Sequence, residues 1–326
     1  MPRSVARSQG PCGGVPPKAV ALRLLTFNTK DFFPPGGPVT PALFQAKVEH
    51  VAQKLLEAQA DVVALQEIGP EAALLALAAR LKRELPYPYV FAAPPDPRGI
   101  RCAVLSRRPF AAAESIAAEA MPFPVFVEGD APPFGARLWM RRPLVHVRLD
   151  EPEGPLHVFV AHFKSRLPAP LRRPTGEVVP SVSAADHAAG LLRSLVWRGA
   201  EALFVRSRVD AVLAAEPGAS VAVLGDLNDE PKSVALDVLT AAAAGPAAQL
   251  HEAADRVLPA ARFSLIHQGQ PVQLDHILVT GQLFQRLDHA RFLSETLRDH
   301  GPYGPGTPPT ADSDHAAFSP PRLGSS

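Results

Sequence analysis

The sequence predicts one mixed α/β domain, on three observations. Apolar runs of strand length alternate with segments whose apolar residues recur at helical spacing over residues 22–85. The middle of the chain is richer in strand-like runs, two of them joined by a Pro/Gly turn. No interior stretch is long enough to separate two domains, and no repeat or heptad run divides the chain. With 326 residues, 47% hydrophobic and a formal net charge of +1, the chain has ample material for a core and too little charge for a disordered one.

Residues 1–18, rich in Pro, Gly and Ser, are expected to form a flexible arm ahead of a domain over 19–320, with a flexible tail over 321–326. Ala21–Phe27 reads as the first strand. Thr40 then looks like an N-cap followed by Pro41 at the first helical position, and Leu43, Phe44, Val48, Val51 and Leu55 carry that helix to about Ala58. Asp61–Leu65 is a second strand and Pro70–Leu85 a second helix. Cys102–Leu105, Leu144–Leu149 and Leu156–Val160 read as strands, the last two joined by the turn Glu151–Gly154. A Pro- and Arg-rich loop over Leu167–Pro180 leads into a long helix, Ala184–Ala215. Val221–Leu224, a helix opening at Lys232, Leu274–Thr280 and Ala316–Phe318 complete the series.

Composition excludes several classes. No apolar stretch approaches the roughly 18 residues of a membrane span. Cys12 and Cys102 alone cannot make a disulfide framework or a cysteine-rich zinc module. The N-terminus has basic residues but no apolar core of export-signal length, so a cytosolic location is expected. Of the 33 basic residues 26 are arginine, which suits phosphate; with near-neutral charge, codon bias explains that excess better than wholesale coating of nucleic acid. No obligate protein partner is indicated.

The informative pattern is what stands at the strand ends. Phe27 is followed by Asn28, Leu65-Gln66 by Glu67, and Val160-Ala161 by His162-Phe163-Lys164. Val223-Leu224-Gly225 leads into Asp226-Leu227-Asn228, Asp275 opens a strand, and Asp314-His315 precedes the last one. Singly each is ordinary: a solvated strand end, a satisfied imidazole, an Asx turn, a loop hydrogen-bonding pair. Jointly they matter, because strand ends of a layered α/β domain lie along one rim. Glu67 suits a hard cation such as magnesium, which takes one or two carboxylates and keeps its waters. Asp226 and Asn228, two apart on a turn, can both aim at one water.

These segments, LLTFN, DVVALQE, VAHFKS, LGDLND, LDHILV and SDH in that order over about residues 21–318, resemble the endonuclease/exonuclease/phosphatase (DNase I-like) superfamily. The resemblance implies a four-layered α/β sandwich, two mixed sheets packed face to face with helices outside. It implies Mg²⁺, with Mn²⁺ as a substitute, on Glu67, with Asn28 and Asp314 as direct or water-mediated partners. Asp226 would orient or deprotonate the attacking water and Asn228 position it. His315 would contact the scissile phosphate, held by Asp275, with His162 a second donor and Lys164, Arg101 and Arg142 adding charge at the substrate. Lys30 and His162 stand where abasic-site endonucleases carry an acidic residue and a tyrosine, which places the chain nearer the DNase-like and phosphodiesterase branches. The expectation is an Mg²⁺-dependent phosphodiesterase, foremost a nuclease acting on DNA. The alternatives are an enzyme for a small-molecule or lipid-headgroup phosphate ester and a catalytically silent binding protein on the same scaffold.

Overall fold

The computed structural model describes residues 22–117, 121–122, 137–173, 175–241, 248–287, 290–301 and 308–319. The expected N-terminal arm, the C-terminal tail, Ala21 and Cys12 lie outside them.

Two six-stranded mixed sheets form the molecule's centre. The first sheet runs β11-β12-β1-β2-β4-β3, with β1 Leu24–Phe32, β2 Val62–Ile68, β3 Tyr89–Ala92, β4 Arg101–Ser106, β11 Arg291–Leu293 and β12 Ala317–Ser319. The second runs β9-β10-β8-β7-β6-β5, with β5 Ala112–Ile116, β6 Leu144–Glu151, β7 Gly154–His162, β8 Ser220–Asp226, β9 Leu250–Glu252 and β10 Asp275–Thr280. Helices α1 Pro41–Ala58, α2 Glu71–Leu81, α3 Ala184–Ala215, α4 Val234–Thr240 and α5 Gly281–Gln285 connect them. No helix among the described residues is long and apolar enough to cross a membrane.

Alternation along the strands assembles the layers, because successive side chains point to opposite faces. Leu24, Val62, Ala64 and Phe318 of the first sheet share one core with Val158, Ala222, Leu224 and Ile277 of the second. Their sequence neighbours face outward: Leu25, Phe27, Val63 and Leu65 pack against Val51 and Leu55 of α1 and Leu77 of α2. Phe159, Val221 and Val223 do the same with Val205 and Val209 of α3 and Leu236 of α4. Strands buried on both faces read as continuous apolar runs, which is why their sequences lack the alternation of a half-exposed sheet. The result is the expected four-layered sandwich.

Local chemistry sets the boundaries. The Thr40 hydroxyl accepts from Leu43 N at 3.2 Å and Pro41 occupies the first turn, as expected for α1. Ser183 and Asp186 form a reciprocal capping box that starts α3 where the sequence placed it. Differences elsewhere lengthen strands toward the rim: β1 runs to Phe32 and β2 to Ile68, so Asn28 and Glu67 lie within strands rather than after them. The α2 helix stops at Leu81 instead of Leu85. The loop expected over Leu167–Pro180 contains a short hairpin, Leu171–Arg172 with Val178–Val179.

Candidate active site

One edge of the sandwich gathers the polar strand ends, and strand direction explains why. β1 and β2 are parallel within the first sheet and β7 and β8 within the second, and the Asn28–Asp226 hydrogen bond brings the C-terminal ends of the two pairs to one edge. β10 runs antiparallel to β8, and β12 to β1, so their N-terminal ends join that edge. The register sets Asp226 opposite His162 on one side and Asp275 on the other.

Backbone irregularities aim these residues. Register shifts interrupt the β1–β2 pairing between Asn28 and Phe32 and the β2–β4 pairing between Leu65 and Ile68. Lys30, Asp31, Glu67 and Asn228 all have positive φ, Glu67 at 59° and Asn228 at 53°. For glutamate that is a strained conformation of the kind that concentrates at functional sites. Gly225, at φ 149°, is required because a Cβ there would lie 1.8 Å from the Ala161 carbonyl oxygen.

Asp226 is the hub where the two sheets meet. Asn28 Nδ2 donates to its Oδ2 at 2.9 Å across the sandwich, and the Asn228 amide donates to Oδ1 at 2.9 Å. Burial pushes its carboxyl up to about 7, with Asp275 adding repulsion and His315 opposing the rise. His315 Nδ1 donates to Asp275 Oδ2 at 2.6 Å. Burial works against charging this ring, but Asp275, Asp226 and Asp314 raise its pKa well above the ordinary histidine value, so it is an imidazolium. Ser313 anchors the approach, its hydroxyl donating to the Asn28 carbonyl at 2.7 Å and accepting from His315 N at 3.0 Å.

His162 is the opposite case. Burial, then Arg142, Arg98 and His315, hold it well below the ordinary value and neutral. A guanidinium only donates, so Arg142 Nη1 donates to His162 Nε2 at 3.2 Å and the ring proton sits on Nδ1, a buried atom without a hydrogen-bond partner. His162 Nε2 also lies 3.5 Å from Asp226 Oδ2 and 3.9 Å from Glu67 Oε1, so the ring stands among the rim carboxylates. Arg142 is itself fixed by Nη2 donating to the Phe163 carbonyl at 2.8 Å.

The Lys164 ammonium donates to the carbonyls of Ser165 and Leu167 at 2.8 and 2.9 Å, which ties down its own loop. Arg101 begins β4 opposite Ile68, with its Nε buried and unpartnered. Asp314 forms an ion pair with Lys30 at 3.4 Å. Sequence reasoning missed Arg98, 61% exposed by its side chain, whose Nη2 lies 3.9 Å from Glu67 Oε1. The signal was the Asp96-Pro97-Arg98-Gly99 turn ahead of β4, where Asp96 Oδ1 accepts from Arg98 N at 2.8 Å. It also missed Lys47 of α1, buried, whose ammonium donates to the carbonyls of Thr310 and Asp312 at 3.3 and 3.2 Å and so holds the segment leading to His315. Cys102 is buried, its thiol pushed up to about 12 by burial, and has no nucleophilic role.

Among the described residues no three His, Cys, Asp or Glu side chains form a ready metal cage. Magnesium does not require one. Glu67 fits such a cation on its own evidence: burial and then Asp31 raise its pKa, marking a carboxylate short of compensating positive charge. Its Oε2 accepts only the Asp31 amide at 3.0 Å, and Arg98 is no nearer than 3.9 Å. Asp314, already facing Lys30, has less need of a metal ion.

Two mixed sheets packed face to face, with carboxylates, amides and imidazoles on one shared edge, define the phosphoesterase class of α/β sandwich. The chain belongs to the endonuclease/exonuclease/phosphatase family, whose model matches residues 25–315. The fold is similar to truncated Caenorhabditis elegans TDP2, at 14% identity over 92% of this chain and 96% of that one, with a TM-score of 0.53. It is also similar to the human Nocturnin catalytic domain with bound sulfate, at 15% identity over 92% and 93% of the chains and a TM-score of 0.56. A Bacteroides vulgatus endonuclease/exonuclease/phosphatase matches at 14% identity over 92% and 97%, TM-score 0.56. No curated protein sequence matches. Family membership supports a hydrolase of the phosphodiesterase or nuclease type.

Proposed function

We propose that the chain is an Mg²⁺-dependent phosphodiesterase, and that its substrate is DNA. The observation that carries this reading is Asp226: a buried carboxyl near neutrality, with one oxygen fixed by Asn28, the other by Asn228, and a charged His315 across the rim. A general base works best with a pKa near the operating pH.

Glu67, with Asn28 and Asp314 near it, would hold the magnesium ion, which when bound neutralises phosphate charge and polarises a coordinated oxygen. The remaining work belongs to the side chains. Ionised Asp226 orients the attacking water and takes its proton. Asn228, whose amide donates to the Phe163 carbonyl at 3.2 Å, keeps that carboxylate at a fixed angle. The imidazolium of His315, held through Nδ1 by Asp275, presents Nε2–H to a phosphate oxygen. Arg142, with Arg98 and Arg101 at the entrance, adds charge where the transition state accumulates it. His162 serves by holding Arg142.

The test is hydrolysis of bis(4-nitrophenyl) phosphate and plasmid DNA with Mg²⁺ or Mn²⁺. Metal-dependent turnover of both is expected, falling by about 10²–10⁴-fold in Asp226→Asn while the protein stays folded. Intact substrates throughout would refute the enzyme, and turnover of the nitrophenyl ester with neither plasmid nor single-stranded DNA cleaved would refute DNA as the substrate.

A further inference from the structure

The chain's two tryptophans are far apart in sequence but meet in space. Trp139 and Trp197 pack edge to face, with ring centroids 6.0 Å apart and planes at 71°, and Trp197 Nε1 donates to the Trp139 carbonyl at 3.1 Å. Arg141 lies over the Trp197 ring, its Cζ 4.3 Å from the centroid. Trp139 remains 48% exposed, although burying an indole is worth more than burying most side chains. Hence Trp197 is committed to its neighbours, while Trp139 offers a braced aromatic surface to solvent.

That surface is wired to the catalytic edge. Three residues on from Trp139 stands Arg142, in contact with His162. Three residues span at most about 10 Å, or roughly three stacked nucleotide steps of 3.4 Å.

The connecting segment also carries surplus positive charge. Arg142 is 6% exposed and its Nε is buried without a partner, as is the Nε of Arg141. The charges acting on Arg141 are Arg142 and Arg172 against Glu201 and Asp96. Glu201 is shared: its Oε2 already accepts from Lys164 N at 2.7 Å. Two adjacent guanidiniums with one shared buried carboxylate fit an anion, and an anion beside an open indole is what a nucleotide supplies: phosphate on the arginines, base on the ring.

We infer that Trp139, braced by Trp197 and Arg141, is a stacking platform for an unpaired base next to the scissile phosphate, so that the substrate is a nucleic acid with single-stranded character at the cleavage point. Duplex bases are stacked on one another and do not present a face to the indole without unstacking. This deepens the nuclease reading and rests on it. The neighbouring aliphatics Leu191 and Leu192, one to two turns before Trp197 and also exposed, would suit a lipid surface instead, which makes vesicle binding a necessary arm of the test.

The experiment compares Trp139→Ala, Trp139→Phe and Leu192→Ser with the native chain, measuring KM and kcat on single-stranded oligothymidylate, duplex DNA and bis(4-nitrophenyl) phosphate. Oligothymidylate binding to the full chain without metal is followed by tryptophan fluorescence. Expected are a preference for the single strand over duplex, and a KM for it raised about tenfold more than that for the nitrophenyl ester in Trp139→Ala. Trp139→Phe should recover most of the loss, Leu192→Ser should match the native chain, and oligothymidylate should quench the native fluorescence. Equal effects of Trp139→Ala on both substrates, or an unquenched indole, would overturn the platform even if DNA is cleaved. Binding to anionic phospholipid vesicles that is lost in both Trp139→Ala and Leu192→Ser would overturn it in favour of a membrane surface. Failure of the nuclease reading is seen separately, as native turnover of the nitrophenyl ester without any DNA cleavage.

Discussion

At the scale of single residues, opposite environments give two histidines on one rim different protonation states, one charged and one neutral. His315 gains Asp275 at 2.6 Å and charges; His162 gains Arg142 at 3.2 Å and stays neutral. The pH profile follows. Asp226 must be ionised to act as a base, and burial raises its pKa to about 7, so kcat/KM should fall as pH drops through about 7. His315 must stay protonated, and its raised pKa moves the alkaline loss well above the ordinary imidazole range. A kcat/KM profile on bis(4-nitrophenyl) phosphate checks both limbs; an acid limb near pH 4 would contradict the assignment of Asp226. Asp275→Asn should pull the alkaline limb downward, because His315 loses the neighbour that most favours its charge. Asp226, Asn228, Asp275 and His315 were legible because each adjoins an apolar run whose strand character is plain. Arg98 was not: its relation to Glu67 crosses from one loop to another strand's end. Nor can residue type reveal that the Lys164 ammonium turns back onto its own loop.

At the scale of elements, the catalytic turn depends on how closely β8 lies beside β7. Gly225→Ala would place a methyl group 1.8 Å from the Ala161 carbonyl oxygen at a φ of 149°, which neither backbone can accommodate. A loss of more than about 3 kcal/mol is expected, visible as a lower midpoint in urea unfolding. A cost under about 1 kcal/mol would mean that the strands separate more easily than the register suggests. Lys47→Met tests a different linkage. Without its ammonium the Thr310 carbonyl loses a donor and the Asp312 carbonyl keeps only the Thr310 hydroxyl, the segment before His315 loosens, and kcat should fall about ten- to hundredfold. Its circular dichroism should remain native, and an unchanged kcat would show that the segment's other contacts, through Ser313, Asp312 and Asp314, suffice to fix it. Elements with strong local patterns were readable: α1 from Thr40-Pro41, α3 from its recurring apolar positions, and the central strands from unbroken apolar runs. The strands missed, β3, β5, β9 and β11, are short. β3 and β5 are also half-exposed sheet edges, where tertiary pairing rather than pattern makes the strand.

At the scale of the whole molecule, the sandwich brings together a rim that no single element contains, and that convergence has a thermodynamic consequence. Glu67 comes from the first sheet and Asp226 from the second, with Asn28 Nδ2 to Asp226 Oδ2 as the stitch between them. Folding therefore buries Glu67 and Asp226 on one edge, and their raised pKa values record chiefly the cost of that burial, with Asp31 adding to it at Glu67 and Asp275 at Asp226. A carboxyl whose folded pKa is raised opposes folding above its unfolded value, so this edge destabilises the native state progressively from about pH 4 upward. A divalent cation that binds only the assembled rim should return that stability, by about 2.7 kcal/mol at a hundredfold excess over Kd. Thermal unfolding at pH 7.5 should accordingly shift upward by several degrees with saturating Mg²⁺ and not with equivalent NaCl. Glu67→Gln removes the carboxylate that most lacks a counter-charge. It should raise the metal-free midpoint and abolish most of the magnesium shift. A midpoint indifferent to Mg²⁺ in the native chain would remove Glu67 from the role of metal ligand, whatever the activity assays show.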